Sequence, residues 1–188
     1  ADLEITARRL IWGKGVNAGQ TCIAPDHLLV QTTIRQRLVN ALEEQRRKLY
    51  GDDPLASGDL SCLIHDRHFQ HLEGLLARAK AEGRILFGGE CDRQSRKIAP
   101  TLIEVHNDQD PLMREEIFGP LLPVLTVNHL DEAITRIQQQ DKPLAIYLFG
   151  GDQNDQKENL QRSCGGRGGL NDVVLQMGVS ELPVGLVR

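Results

Sequence analysis

Apolar and polar positions along this chain follow two periods, one typical of helices and the other typical of strands. Long segments repeat apolar residues at helical spacing, and short apolar runs bounded by glycine, proline or polar residues lie between them. The pattern predicts helices over residues 2–16, 33–50, 66–82, 131–140 and 152–162. It predicts strands over residues 27–31, 84–87, 99–105, 121–127, 144–149 and 170–175, and the run 144–149 has the composition of a buried strand.

The first predicted helix separates its apolar and polar residues. Its apolar side contains Ala7, Leu10 and Ile11, and its polar side is expected to contain Arg8, Arg9 and Lys14. The helix is therefore expected to pack through the first set and to be solvated at the second.

Capping residues set several of the predicted helix boundaries. Thr33 and Gln36 have the spacing of a capping box at the start of the second helix. Gly83 is expected to end the third helix, and Asn128 is expected to cap the fourth.

Glycine-rich stretches are predicted to be loops. Gly13, Gly15 and Gly19 are expected to loosen the chain into a loop that ends at Cys22. The cluster at residues 165–169 is predicted to be a turn before the last strand.

Strands separated by helices are typical of a mainly parallel sheet with helices on both faces. The predicted fold class is therefore α/β, with three layers in the order α/β/α. A length of 188 residues suits one domain with a real core. The chain begins without Met, directly in a helical pattern, which we interpret as a fragment of a longer protein.

Composition excludes several classes of function. A formal net charge of −4 and the lack of a long basic run argue against a nucleic-acid partner. The longest apolar runs are too short for a membrane-spanning segment. The start does not resemble a secretory signal, so we expect a cytoplasmic protein with reduced thiols. The four cysteines form no Cys-x-x-Cys pair, which argues against a metal site.

Cys22 is the first candidate for chemistry. It ends the segment Asn17-Ala18-Gly19-Gln20-Thr21-Cys22, directly before the first predicted strand. Strand ends carry functional groups in open α/β sheets, and the glycine permits a tight turn and a close approach of ligand. The residues alone leave open, and favour, a small buried thiol.

The segment Glu115-Glu116-Ile117-Phe118-Gly119-Pro120 is the second candidate. The carboxylate of Glu116 could accept hydrogen bonds from ribose hydroxyls, and the ring of Phe118 could pack against a flat ring. A capped short helix that enters a strand is the structural alternative, and the residues alone favour it.

Two further groups have ordinary structural explanations. His65, His68 and His71 would spread around a helix, which favours a polar helix face over a metal site. Asn171 could be an amide on the substrate side of a site, or simply a turn residue.

Taken together, these stretches resemble the aldehyde dehydrogenase superfamily, and most of all its class 3 and fatty aldehyde branch. The resemblance covers nearly the whole chain. It rests on Trp12-Gly13-Lys14, Asn17-x-Gly19-Gln20-Thr21-Cys22-x-Ala24-Pro25-Asp26, Ile98-Ala99-Pro100-Thr101, Glu115-Glu116-Ile117-Phe118-Gly119-Pro120, Lys142-Pro143-Leu144-Ala145, and Gly165-Gly166 with Asn171-Asp172.

The resemblance implies the fold of the family's catalytic domain and a covalent mechanism. Cys22 would attack the aldehyde as thiolate, and its own backbone N–H would be one oxyanion donor. The cofactor would be NAD or NADP, with Glu116 on the nicotinamide ribose and Phe118 near the nicotinamide. Asn171 would lie on the substrate or oxyanion side. The partners implied are an aldehyde, including fatty aldehydes, and further copies of the full-length protein in a homo-oligomer.

Departures from the family pattern narrow this expectation. Residues 1–188 are interpreted as an incomplete catalytic domain, without the dinucleotide-binding domain and the carboxyl-terminal segment. The family's general-base glutamate and the asparagine that gives the second oxyanion donor would then lie outside the chain. Arg167 and Gly168 make the interval between Gly165-Gly166 and Asn171-Asp172 one residue longer than in the family pattern. Gly15 stands where the family has a bulky residue, which is expected to loosen the helix.

Two hypotheses follow. In the first, the chain is the catalytic domain of an NAD(P)-dependent aldehyde dehydrogenase that is inactive by itself. In the second, it is a truncated, non-catalytic remnant that acts only as a folded association module.

Overall fold

A computed structural model describes residues 2–151, 156, 158, 159, 162, 163 and 167–174 of the chain. The elements with defined bounds are α1 (Leu3–Gly15), β1 (Leu28–Gln31), α2 (Arg35–Tyr50), α3 (Asp66–Ala81), β2 (Ile85–Phe87), β3 (Cys91–Asp92), β4 (Lys97–Ile98), β5 (Thr101–Val105), β6 (Leu121–Val127), α4 (Leu130–Gln139), β7 (Ala145–Leu148) and β8 (Arg167–Leu170). Short 3₁₀ turns cover Val16–Gly19, Pro54–Ala56 and Pro111–Met113.

The central sheet has four strands in the order β1-β6-β5-β2. Strand β6 pairs in parallel with β1 and with β5, and β2 is antiparallel to β5. The sheet is therefore mainly parallel and the fold is α/β, as the alternating pattern predicts.

Alternate residues of the central strands pack into two hydrophobic clusters. In β6, Leu122 and Val124 belong to the cluster that contains residues of α1 and α2, and Leu121 and Leu125 belong to the cluster that contains residues of α3. Leu121 has no exposed surface, and full burial of such a side chain stabilises the fold by about 2 kcal/mol. This alternation gives the three layers expected from the sequence.

Helix α1 differs from its predicted form at Lys14. Asp2 caps the helix, since its side chain accepts hydrogen bonds from the N–H groups of Glu4 and Ile5. Lys14 is only 3% exposed, so its predicted place on a solvated side is wrong. Because it follows Ile11 by three positions, it lies on the apolar face of the helix.

Two glycines at the end of α1 do not loosen the chain, contrary to the sequence-based expectation. Gly13 and Gly15 are helical and buried. A Cβ at Gly15 would lie 1.9 Å from the hydroxyl of Tyr50, and a Cβ at Gly13 would lie 2.4 Å from a methyl of Val173. Both positions lack a side chain because neighbouring elements occupy that space.

The predicted caps of two helices are wrong. Helix α2 begins at Arg35 without a side-chain cap, and Thr33 does not cap it, because residues 32–34 form a turn in which Thr32 donates to the carbonyl of Val127. Helix α4 is capped by His129, whose Nδ1 accepts from Glu132, and Asn128 instead donates to the Glu132 carboxylate.

The hairpin of β3 and β4 was not predicted. Each strand has only two residues, so neither carries a recognisable period.

The carboxyl-terminal pair of strands corrects the predicted glycine turn. Strand β8 pairs in parallel with β7 and includes Gly168 and Gly169, while residues 171–174 lie beyond it. A Cβ at Gly169 would lie 2.7 Å from the ring of Tyr147, which explains a glycine inside the strand. Residues of β7 are half-buried, which is less than the composition of this run predicted.

Several predictions fall partly beyond the described residues. Of the predicted helix 152–162, Gln156, Glu158, Asn159 and Arg162 are helical, and its other residues lie outside the described part of the chain. Residues 164–166, with Cys164, and residue 175 lie outside it as well. No helix in the described part is long and apolar enough to cross a membrane.

Candidate active site

The chain reaches Cys22 through a left-handed turn. Asn17, Ala18 and Gly19 have φ angles of 51°, 53° and 75°. Left-handed backbone costs a residue with a Cβ roughly 1–2 kcal/mol, so this turn persists only because its surroundings fix it. Asn17 and Gln20 exchange side-chain-to-backbone hydrogen bonds of 3.2 and 2.9 Å across the turn.

Cys22 is presented at the surface by the next turn. The N–H of Ala24 donates to the carbonyl of Thr21 at 2.9 Å, which places Cys22 inside the turn. The Cys22 thiol is free and exposed, so the buried-thiol alternative is wrong. Among the hydrogen bonds of the described residues, none uses the N–H of Cys22, which leaves it able to donate to a ligand.

Gln20 fixes this loop to a distant part of the chain. Its side chain is buried, with its Nε2 3.1 Å from the carbonyl oxygen of Cys62 and its Oε1 2.9 Å from the amide of Ile64. One amide thus satisfies a donor and an acceptor of the segment before α3. Sequence reasoning treated Gln20 only as part of the cysteine motif.

Strand β7 supports the residue after the nucleophile candidate. The hydroxyl of Tyr147 donates to the carbonyl of Ile23 at 2.8 Å. Residues 17–26, called the cysteine loop below, are therefore held by contacts from two other elements.

Glu116 and Phe118 lie on a second loop, residues 115–119, called the Phe118 loop below. The short 3₁₀ turn before it ends at Met113, so the alternative of a capped helix through this motif is wrong. Ile117 is buried, whereas Glu116 is exposed and Phe118 is 37% exposed. Phe118 has a φ of 46°, an unusual conformation for a bulky residue.

The two loops are in contact. A Cβ at Gly19 would lie 2.2 Å from the carbonyl oxygen of Gly119, and the N–H of Ile117 donates to Asp26 at 3.0 Å. The fold therefore brings the cysteine motif and the motif of Glu116 and Phe118 to one site, as the pairing of these motifs predicts.

The buried side chain of Lys14 interacts with one carboxylate of each loop, Asp26 and Glu116. Burial lowers the pKa of Lys14 to about 8, although the carboxylates of Asp26 and Glu116 oppose that shift. Partial desolvation of its carboxyl group raises the pKa of Glu116, and the charge of Asp26 adds to this while the charge of Lys14 opposes it. The three side chains therefore act on one another electrostatically.

The pKa of Asp26 moves in the other direction. Burial raises the pKa of this carboxyl, but the hydrogen bond with His27, the charge of Lys14 and the N–H of Ile117 together hold it below its usual range. Of the two carboxyl groups that interact with Lys14, that of Asp26 therefore stays ionised to the lower pH. Sequence reasoning gave no role to Asp26 or Lys14.

The three histidines of α3 have separate roles. His65 caps the helix by accepting from the N–H of His68, and His68 Nε2 lies 2.8 Å from the carbonyl oxygen of Phe118. His71 is exposed. Across residues 2–151 and the later described positions, no group of three or more His, Cys, Asp or Glu side chains could hold a metal ion.

Asn171 occupies a turn at the end of β8. Its φ is 54°, and its side-chain oxygen accepts from the N–H of Gly150 at 3.0 Å. These contacts fit the turn-residue interpretation, and a substrate-side role for Asn171 stays a prediction.

Two open grooves on the surface lie away from Cys22. One runs along α4 and the other lies between α1 and α2. The site at Cys22 is therefore an exposed pair of loops and not part of either groove.

Comparison with known proteins gives one consistent result. The model of the aldehyde dehydrogenase family matches residues 1–185. A rat protein named "Aldehyde dehydrogenase, dimeric NADP-preferring" is 40% identical over 98% of this chain, which corresponds to 40% of the rat protein. Mouse "Aldehyde dehydrogenase family 3 member A2" is 39% identical over 98% of this chain and 37% of its own length.

Solved structures give the same picture. A substrate-bound AldH from Staphylococcus aureus superimposes with a TM-score of 0.94 at 38% identity, over 98% of this chain and 40% of that one. An NAD-dependent aldehyde dehydrogenase from Sinorhizobium meliloti gives a TM-score of 0.86 at 31% identity, over 98% and 37%. The chain thus spans about two fifths of the length of these relatives.

Proposed function

The chain belongs to the aldehyde dehydrogenase family, and from this premise we propose that it is part of the catalytic domain of an enzyme that oxidises aldehydes with NAD or NADP. Cys22 is the proposed nucleophile. The observation that carries the proposal is the exposed Cys22 thiol on a strained, firmly held loop that contacts the Phe118 loop. Strained backbone is typical of functional sites.

The chemistry starts at the sulfur of Cys22. A free cysteine is already a few per cent thiolate near neutral pH, and the thiolate is a strong nucleophile. Its attack on the aldehyde carbon forms a C–S bond and places negative charge on the former carbonyl oxygen. The N–H of Cys22, which donates to no acceptor within the described part, can stabilise that oxygen.

Loss of hydride from the same carbon leaves a thioester on Cys22. The nicotinamide of NAD or NADP supplies the hydride acceptor when it is bound. Water then breaks the C–S bond, which releases the carboxylic acid and returns the thiol. The resemblance to the family implies that the general base and the second oxyanion donor would lie outside residues 1–188, so we propose that the isolated chain does not turn over.

The Phe118 loop fits the cofactor because it offers one carboxylate and one aromatic ring, two residues apart, on a backbone that Asp26 and His68 hold. Glu116 is exposed and would accept hydrogen bonds from ribose hydroxyls, and the exposed ring of Phe118 would face the nicotinamide. Asp26 anchors the intervening Ile117, so the two side chains keep their relative positions.

The wider assignments are also proposals. Because one relative is named dimeric, we propose a homo-oligomer for the full-length protein. Fatty aldehydes are the proposed substrate class, on the resemblance to the fatty aldehyde branch, and the cytoplasm is the proposed location.

Competition between thiols tests the proposal. Cys22 and Cys62 are both exposed, so they form a matched pair for alkylation by iodoacetamide. We expect Cys22 to react on the order of tenfold faster, measured by peptide mass spectrometry, because its turn holds the sulfur in a fixed and accessible position.

Equal rates for Cys22 and Cys62 would instead support the association-module hypothesis. Mixing the chain with an aldehyde and NAD, and following the absorbance of reduced nicotinamide, tests the proposed inactivity separately. Robust turnover that disappears in Cys22→Ser would show that the chain holds every essential group.

A further inference from the structure

The Phe118 loop is held at three consecutive residues. Asp26 accepts from the N–H of Ile117 at 3.0 Å, and His68 Nε2 lies 2.8 Å from the carbonyl oxygen of Phe118. A Cβ at Gly119 would lie 2.3 Å from a methyl of Leu72, so Leu72 packs directly on that glycine. Each contact comes from outside the loop.

Two of these contacts come from one face of α3. His68 and Leu72 are four residues apart, so they lie one turn apart on the same side of the helix. Leu72 is fully buried, as is its neighbour Phe69, which fixes the position of this face against the core. His68 is half-buried at the edge of that contact, where it reaches the loop.

The carbonyl of Phe118 determines the tautomer of His68. A carbonyl oxygen can only accept, so Nε2 of His68 must carry the proton that it donates at 2.8 Å. The rings of His68 and Phe118 are also near each other, with centroids 6.4 Å apart and planes inclined by 58°.

Phe118 needs such a contact because its backbone is strained. A bulky residue with a φ of 46° is an outlier, and such a residue persists only where the surroundings fix it. Its ring cannot provide that restraint alone, since 37% of the residue is exposed. The restraint therefore falls on its backbone.

From this geometry we propose that His68 is a positioning residue for Phe118. Its Nε2–H holds the Phe118 carbonyl, keeps the backbone left-handed and so presents the Phe118 ring at the surface beside the cysteine loop. The proposal rests on the proposed function in one respect, namely that this ring faces the nicotinamide. The hydrogen bond itself can be tested without cofactor.

The test is nuclear magnetic resonance on the isotope-labelled 188-residue chain. The ring nitrogen shifts of His68 should identify the Nε2–H tautomer, and Phe118 should show the strong NOE between its own amide and Hα that a positive φ produces. In His68→Ala we expect the population of other loop conformers to rise roughly 2- to 10-fold, the range for one neutral hydrogen bond.

Two variants make the result specific. His68→Gln keeps an N–H donor and should restore the Phe118 signature, whereas His71→Ala removes an exposed histidine from the same helix and should change nothing. An Nδ1–H tautomer at His68, or an unchanged Phe118 NOE in His68→Ala, would overturn the proposal.

Titration with NAD⁺ and NADP⁺ separates this inference from the proposed function. Shifts of the Phe118 ring in the unsubstituted chain that weaken in His68→Ala and return in His68→Gln would support both. If neither nucleotide shifts the ring while the Nε2–H tautomer of His68 and the positive-φ NOE of Phe118 are present, the proposed cofactor role of Phe118 fails for this chain and the role of His68 stands.

Discussion

The cysteine loop and the Phe118 loop both contain left-handed residues, but they are stabilised by different means. In the cysteine loop, Asn17 and Gln20 bond across the turn, and the Gln20 side chain continues to the segment before α3. In the Phe118 loop, every restraint described above comes from another element, since Asp26 and His68 hold its backbone.

This difference indicates how each loop should respond to change. The cysteine loop depends on its own glycine and glutamine, so substitutions within it should alter the free energy of unfolding strongly. The Phe118 loop depends on a network of charges and hydrogen bonds, so changes in its neighbours should alter its conformation and ionisation with less cost to the fold.

Gly19→Ala should have the largest effect. The new Cβ would lie 2.2 Å from the carbonyl oxygen of Gly119, and the φ of 75° is strained for alanine. We expect a loss on the order of 3–5 kcal/mol in the free energy of unfolding, measured by urea denaturation.

Gly74→Ala is the matched control for that substitution. Gly74 lies inside α3, and a Cβ there would contact nothing within 4 Å. It should stabilise the chain by about 0.5–1 kcal/mol, because alanine is the better helix residue. A Gly19→Ala chain as stable as Gly74→Ala would show that the two loops are not packed as described.

Gln20→Ala should have the next largest effect. It removes the hydrogen bonds that the buried Gln20 side chain makes with Asn17, Cys62 and Ile64, and each such bond contributes about 0.5–1.5 kcal/mol. We expect a loss of about 2–3 kcal/mol. Gln36→Ala, which removes an exposed glutamine on α2, should change the unfolding free energy by less than about 0.5 kcal/mol, and equal losses in the two variants would contradict the role of Gln20.

The charge of Lys14 should make stability depend on pH. Its pKa is about 8 in the folded chain against 10.5 when unperturbed, so between these values the unfolded chain binds more protons and stability rises with pH. Relative to Lys14→Met, the free energy of unfolding should rise by about 2 kcal/mol from about pH 7.5 to about pH 9.5. The same pH dependence in both proteins would show that Lys14 is not buried as a cation.

The smallest effect separates the two carboxylates beside Lys14. Both raise the pKa of Lys14, and the effect of Asp26 is the larger. Asp26→Asn should therefore lower the pKa of Lys14 further than Glu116→Gln does, as followed by the titration of its Cε resonance. The opposite order would place Lys14 nearer to the Phe118 loop than to the cysteine loop.

The elements of the central sheet follow directly from the sequence. Strand β6 coincides with the predicted run 121–127 because its apolar residues are buried on both faces of a parallel sheet. The caps of α2 and α4 could not be predicted from local spacing. Residues 32–34 form a turn in which Thr32 donates to the carbonyl of Val127, and the Asn128 side chain donates to the Glu132 carboxylate.

The candidate site shows the same division. The sequence identifies Cys22, Glu116 and Phe118 through two motifs that resemble one family. Nothing in the sequence separates His68 from His65 or His71, because only the packing of α3 brings one of them to the Phe118 carbonyl.

The sequence by itself determines the α/β class, the order of the main elements and the family, because apolar periodicity and compact motifs are local properties. The tertiary structure decides that Lys14 is buried, that Gly15 gives room to Tyr50, and that two loops meet at Gly19 and Gly119. These features depend on contacts between residues far apart in the chain, and the free energy of such contacts is defined only once the sheet and its helices have packed.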